Sequence, residues 1–297
     1  MATNFFPSRK RHCTGCLQRK ITVNGEEVVE YYHRGVVCHV VGFDLALPLD
    51  VEMQRIGEGE IAAAKRLLER VFTTLPRFFD VILGDALYCE ADFFNFCIQH
   101  GKEVVAVLKG DDRLLKRDAA LRFSSLPSQR WVENRREIEA WDLDGFTSMT
   151  GVDGPIRVLH SHETRTVKKL VDGKRVDKTE QSHWWWATTI KQAQLSTRKP
   201  CKAGHSRWDI ENDSFNELSR SWGLDHCFKH SPNAILTFIL TNFIAQLLLQ
   251  CFYKRNLKPD RRAGLPLIGL AREIFADWVT AGYRALWLMT HAQPDTS

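Results

Sequence analysis

Polar and apolar positions change period several times along the chain. After a basic, turn-rich stretch over residues 1–20 come two extended segments, "EEVVEYYHRGVVCHVVGF" and "LALPLDVEMQ", rich in β-branched and aromatic residues. Asn24-Gly25 marks a hairpin turn ahead of the first. From Gly57 the period becomes helical: "EGEIAAAKRLLERVFTTLP" opens with acids and stops at Pro76. The apolar run "FDVILGD" predicts a short buried strand with Asp85 at its end. "EADFFNFCIQHG" predicts a helix closed by Gly101, and "EVVAVLK" a second buried strand. A strand, helix and strand of this kind predict a parallel pair joined by a right-handed crossover.

Residues 110–181 are polar, alternating and rich in turn signals, including a "DGKR" hairpin turn, and predict a separable β-rich insertion. "HWWWATTI" reads as a strand returning to the core, with one of its three rings exposed. Helices resume near residue 203. One carries Glu211, a long one starts at Ser231-Pro232 in N-cap and first-residue positions, and "LIGLAREIFADWVTAGYRALW" is a last amphipathic one. The expected fold class is α/β: a mixed sheet flanked by helices, interrupted by the β-rich insertion and followed by additional C-terminal helices. The expected divisions are 1–110, 111–181, 182–230 and 231–297.

Composition narrows this picture modestly. The chain has 297 residues, 44% hydrophobic and 26% charged, as an ordinary globular protein does. A net charge of +5 suits a polyanion partner without demanding one. Eight scattered cysteines and no leader-like start argue against a secreted disulfide scaffold and for a cytoplasmic chain with reduced thiols. Cys13 and Cys16, in "HCTGC", have the spacing of a ligand pair. A structural zinc needs four ligands, and His33, Cys38 or His39 would complete the set only if a hairpin folds back. A lone C-x-x-C is a weak signal, so zinc is not the expected cofactor. The apolar run 234–252 is long enough to raise a membrane question, but Thr237, Thr241, Asn242, Gln246 and Gln250 interrupt it. A buried core helix is the expected reading, with no membrane.

Two carboxylates stand out by position. Asp85 ends a buried parallel strand, the edge where open α/β sheets place their ligand chemistry. Glu211 falls on an apolar helical stripe with Trp208, Phe215, Leu218 and Trp222, where an unpaired carboxylate is costly to bury. Acids converging from a strand end and a helix face can hold two divalent ions for phosphoryl transfer. The plainer alternatives are a helical ion pair of Glu211 with Arg207 and a local backbone hydrogen bond at Asp85.

"VILGDALYCEADFFNFC", "VVAVLKG" and above all "RWDIENDSFNELSRSWGLDHCFKH" resemble the catalytic domain of bacterial insertion-sequence transposases of the DDE type, with an RNase H-like fold. The resemblance spans nearly the whole chain. It implies that Asp85 is the second acid of the triad and Glu211 the third, within the Arg207-x-x-x-Glu211 signature. It further implies two Mg²⁺ or Mn²⁺ ions, double-stranded transposon ends as partner, and a homodimer on DNA. Arg9, Lys10, Arg11, Arg207 and Arg220 are the candidate phosphate contacts, joined by a set of lysines and arginines in the insertion (Lys168, Lys169, Lys174, Arg175, Lys178). Trp131 and Trp141 are candidates for base stacking, with packing inside the insertion as the alternative.

Three departures qualify the resemblance. Gly204 stands where the fuller signature has a tyrosine. The lysine expected after the glutamate is absent, with Arg220 the nearest cation. The first acid of the triad aligns at about Met1, so the strand bearing it is expected to lie off the start of this sequence, and neither Asp44 nor Asp50 is expected to replace it. The expectation is therefore a transposase catalytic domain that does not cut DNA as it stands. The alternatives are a non-catalytic DNA-binding remnant, or a zinc-stapled interaction protein whose acids are structural.

Overall fold

The computed structural model describes residues 2–42, 44–171, 174–224, 226 and 229–291. The N-terminal sheet contains β1 (Ala2–Ser8), β2 (Leu17–Val23), β3 (Glu26–Val40) and β4 (Leu47–Met53). All pairings are antiparallel, and β3 is the spine: at Val36 it faces Ala2 of β1 on one edge and Glu52 of β4 on the other. The hairpin from β2 to β3 turns on Asn24 and Gly25, both at positive φ, as the Asn-Gly pair predicts.

The strand Ala2–Ser8 corrects the expectation for the first twenty residues. Phe5 and Phe6 are consecutive yet both buried, because a register shift between Phe5 and Ser8 and a positive φ at Phe6 break the alternation that marks a strand.

Helix α1 (Glu60–Thr74) buries Ala63, Ala64, Leu67, Leu68 and Val71. Its outer face is tied to β4 by Arg66 on Glu52 and Glu58, and by Arg70 on Asp50 and Glu52. The second sheet starts with β5 (Val81–Gly84), crosses over through α2 (Ala91–Gln99), and returns as β6 (Glu103–Val107), parallel to β5 as predicted. After α3 (Leu114–Phe123) come β7 (Gln129–Glu133), β8 (Arg136–Phe146), β9 (Ile156–Val171) and β10 (Lys174–Thr188).

The sheet order is β5-β6-β10-β9-β8-β7. Residues 110–181 are β-rich, and the strand expected to return to the core after them does so. Trp186 to Thr188 of β10 pair with Val105 to Val107 of β6, so the strands prolong the core sheet, and a helix, α3, occupies the start of the region. The apolar Ile156, Val158 and Phe146 of this region belong to the same core cluster as Phe93 and Val104. The turn "DGKR" lies partly outside the described residues.

The remaining helices are α4 (Arg198–Ser206), α5 (Asn216–Trp222), α6 (Pro232–Cys251), the single turn α7 (Pro259–Arg262) and α8 (Leu267–His291). Pro232 opens α6 behind Ser231, whose side chain makes no cap bond. One face of α6 packs Ile235, Ile239 and Phe243 with Phe5, Phe6, Val37 and Leu218. Gln250 on that face bonds both the N–H and the carbonyl of Ala46. Among the described residues α6, continued to Asn256, is the one helix long and apolar enough to cross a membrane. One face is buried as expected of a core helix, but Leu240, Ile244 and Leu248 on the other are exposed, so the helix is only partly the buried one expected.

Candidate functional site

Asp85 follows β5 directly and caps a single 3-10 turn, its Oδ1 accepting the Leu87 N–H at 2.9 Å. This is the local hydrogen bond weighed for it from sequence, and it leaves Oδ2 without a hydrogen-bond partner among the described residues. Gly84 is required just before it, since a Cβ there would stand 2.7 Å from Tyr88 Cβ. Tyr88 donates to Glu60 at 2.7 Å, and Glu60 in turn pairs with Arg34. Burial first, and then the neighbouring Glu60 and Asp85 carboxylates, raise the Tyr88 pKa, so the phenol stays protonated.

Glu211 sits differently from its prediction. The segment Ile210–Phe215 is π-helical, and the Asn216 N–H bonds the Glu211 carbonyl five residues back. The wider turn resets the stripe: Ile210, Phe215 and Leu218 are buried, whereas Trp208 is exposed. Glu211 therefore leaves the apolar seam, with its side chain 43% exposed, and its Oε1 lies 3.7 Å from Arg207. The α-helical period misplaced it by assuming 3.6 residues per turn where the chain uses more.

Long-range contacts fix the approach to Glu211. Arg157 and Asp142 form a fully buried bidentate pair at 2.8 and 2.6 Å. Arg157 also donates to the carbonyls of Ile190 and Leu195, and Thr197 donates to Asp142, so the loop entering α4 is pinned. At the other end of α4, His205 meets the buried Glu163 carboxylate at 2.6 Å, with Ser161 and Arg136 bonded to the same group. Burial alone would raise the Glu163 pKa, but these bonds outweigh it and hold it below the usual carboxylate value. Between them, Gly204 packs on the buried Trp186. A Cβ at 204 would fall 2.2 Å from the indole nitrogen, so the tyrosine of the fuller signature has no room here.

A cavity of about 540 Å³ lies between the two sheets. Leu83 and Tyr88, on either side of Asp85, line it, as do Arg207 and Ile210, both just ahead of Glu211. Its long walls are Val37 to Val41 of the β3 arm and Val81 to Leu83 of β5. Val37, Cys38 and His39 pair with β4 on one edge only, and β5 pairs with β6 on one edge only. Two strand edges therefore face an apolar slot that has no strand in it among the described residues. His39 lines this slot with both ring nitrogens buried and unbonded, and burial takes its pKa down to about 4.

The other candidates divide clearly. Arg9, Lys10 and Arg11 are exposed on a turn held by Ser8 Oγ, which accepts from the Lys10 and Arg11 N–H groups. Arg220, Lys168, Lys169, Arg175 and Lys178 are exposed as well, while the side chain of Lys174 lies outside the described set. Trp131 is buried under the Arg198 guanidinium, and Trp141 stacks on His160 against the main core. These placements match packing rather than base stacking. In the triple-tryptophan stretch Trp186 is buried and the other two rings are half-buried, so the expected exposed ring is not there. Asp44 pairs with Arg255 and Asp50 with Arg70.

The structure also gathers Cys13 and Cys16 with His33, one of three partners considered for them. The fourth member is His230, missed because only the return of the chain ahead of α6 brings it near. Cys38 and His39 are not part of the group.

Residues 18–248 match the family model described as the transposase DDE domain. No curated protein matches the chain.

Proposed function

The chain belongs to the transposase DDE-domain family, and we propose that it is a catalytic domain for cutting and joining DNA at transposon ends, in which Asp85 and Glu211 are two of the carboxylates that hold divalent metal and a third acid is needed for cutting. Its mixed sheet flanked by helices agrees with the RNase H-like architecture of such domains. The observation that carries the site assignment is the shared cavity: the neighbours of Asp85 and the neighbours of Glu211 line the same space.

The donors suit a hard cation such as Mg²⁺. Both are carboxylates, Asp85 keeps one oxygen unbonded, and Glu211 is engaged only at 3.7 Å. When bound, two such ions polarise the attacking and leaving oxygens of a phosphoryl transfer. The chain's own residues do the positioning. The Leu87 N–H orients Asp85, and the π turn aims Glu211 out of the seam. Arg207, Arg220 and the Arg9–Arg11 turn supply cations to the DNA backbone, so binding to ends should fall steeply with salt.

A third, bridging acid belongs in the slot between β3 and β5. Ala2 pairs with Val36, and the same edge of β3 continues through Val37, Cys38 and His39 without a partner from β1, so a strand preceding Ala2 would run along that edge into the slot and join the two sheets. An aspartate on that strand completes the set. A reading in which this 297-residue sequence binds ends without cutting them is favoured by one observation: the nearest later acids, Asp44 and Asp50, are held by Arg255 and Arg70.

The test is Mg²⁺-dependent nicking of a plasmid carrying the ends that flank the coding element. We expect salt-sensitive binding and no nicking from the 297-residue chain. Nicking should appear when an apolar strand ending in Asp is fused before Thr3, stay absent when the strand ends in Asn, and vanish with Asp85→Ala. Nicking by the unextended chain that Asp85→Ala abolishes would put the third acid elsewhere. Nicking indifferent to Asp85 would overturn the site.

A further inference from the structure

We propose that Cys13, Cys16, His33 and His230 form a structural zinc site, separate from the carboxylate pair. The four ligand atoms lie within 4.8 Å of one another. Cys13 and Cys16 Sγ are 3.7 Å apart; His33 Nε2 is 3.3 Å from one and 3.4 Å from the other; His230 Nδ1 is 3.5 Å from Cys16. Zinc bonds of about 2.3 Å to sulfur and about 2.0–2.1 Å to nitrogen, at tetrahedral angles, require edges of about 3.8 Å between sulfurs and about 3.6 Å from sulfur to nitrogen. These four edges match that tetrahedron to within a few tenths of an ångström, and the remaining two lie within 4.8 Å.

The chemistry of the set agrees with its shape. Two thiols and two imidazoles converge on one point, and two thiolates would neutralise a divalent ion. A tetrahedral sulfur and nitrogen set selects zinc over the hard cations suited to Asp85 and Glu211. The loop is built for it. The Cys16 N–H bonds the Cys13 carbonyl at 3.2 Å, and the Cys13 N–H points at Cys16 Sγ at 3.2 Å, closing the turn that presents both sulfurs. Gly15, between them, abuts the start of α6, where a Cβ would come within 3.1 Å of Pro232. His33 and Cys16 are buried.

The site clasps three distant segments: the turn after β1, the middle of β3, and the chain just before α6. The segment that follows Glu211 and α5 is thereby fastened to the sheet that carries β1. Zinc acts here as a positioning element for the Glu211 side of the cavity and touches no DNA.

Metal analysis of the full chain purified in reductant, together with Co²⁺ titration, tests this. We expect about one zinc per chain, and a thiolate-to-cobalt charge-transfer band with the visible spectrum of a tetrahedral ion. Cys13→Ser with Cys16→Ser should lose both. His230→Cys should keep the stoichiometry and strengthen the charge-transfer band, and Asp85→Asn should change neither. Should the serine variant fail to fold, thiol labelling of the wild type reads the same point: two thiols should be protected until a chelator removes the zinc. A chain that stays zinc-free after loading, a cobalt spectrum lacking the thiolate band, or labelling indifferent to the chelator would overturn the proposal. So would recovery of Cys13 and Cys16 as a disulfide from reductant.

Discussion

The chain within a few positions of Asp85 accounts for where Asp85 sits: an apolar strand runs into it, Gly84 clears space for Tyr88, and Leu87 binds it. Glu211 owes its position to residues scattered through the sequence. Arg157 and Asp142 pin the entry to α4, Glu163 pins its exit, and Trp186 sets its packing distance. The two halves of a candidate metal site thus rest on different kinds of support. A local motif survives damage elsewhere, while a long-range one fails with any of several remote residues.

That contrast can be broken at four points. Arg157→Met should have the largest effect, about 3–5 kcal/mol by urea unfolding, because it leaves Asp142 charged and buried. The simultaneous change of Asp142 to Leu should restore much of that loss. Glu163→Gln should cost about 1.5–3 kcal/mol at neutral pH, through the lost charged bonds to His205 and Arg136.

Glu163 also gives a pH signature. Its folded pKa lies below the ordinary 4.5, so its contribution is present above that value and is lost as pH falls through the folded one. The Gln variant should therefore show a flatter acid limb in stability measured from pH 6 downwards. An unchanged limb would remove Glu163 from the account.

Gly204→Ala should cost about 1–3 kcal/mol by overpacking Trp186, and Trp186→Leu should relieve it in the double variant. The smallest effect belongs to Glu211→Gln. The pair with Arg207 is long and its Glu211 end is exposed, so the change should move stability by less than about 0.5 kcal/mol while abolishing any nicking by the extended chain. A loss of several kcal/mol would mean that Glu211 is a structural partner of Arg207.

The same contrast explains what the sequence disclosed. Asp85 was legible because strand, strand end and turn are contiguous, and period and length suffice to find them. The β5–α2–β6 crossover was legible for the same reason. Glu211 was singled out by motif and misplaced by period, since no local residue pattern announces a π turn. The buried Arg157–Asp142 pair carried no signal, because each residue reads as a surface charge until β8 and β9 pair. Phe5 and Phe6 hid β1 by breaking alternation at a bulge. Of the Cys/His group, three members lay within one hairpin, and the fourth depended on tertiary return.

The sheet order has a consequence for biosynthesis. The edge of β6 that β10 will cover stays open until roughly eighty further residues have been made, an interval of seconds at ribosomal rates. During that time the apolar Val104 to Val107 edge is a template for wrong pairing, while β9 and β10, adjacent in sequence, pair with each other as β10 emerges. The nascent chain should therefore be most prone to aggregation after α2 and β6 emerge and before Trp186 does. Truncated chains released in that window should be the ones that chaperones retain.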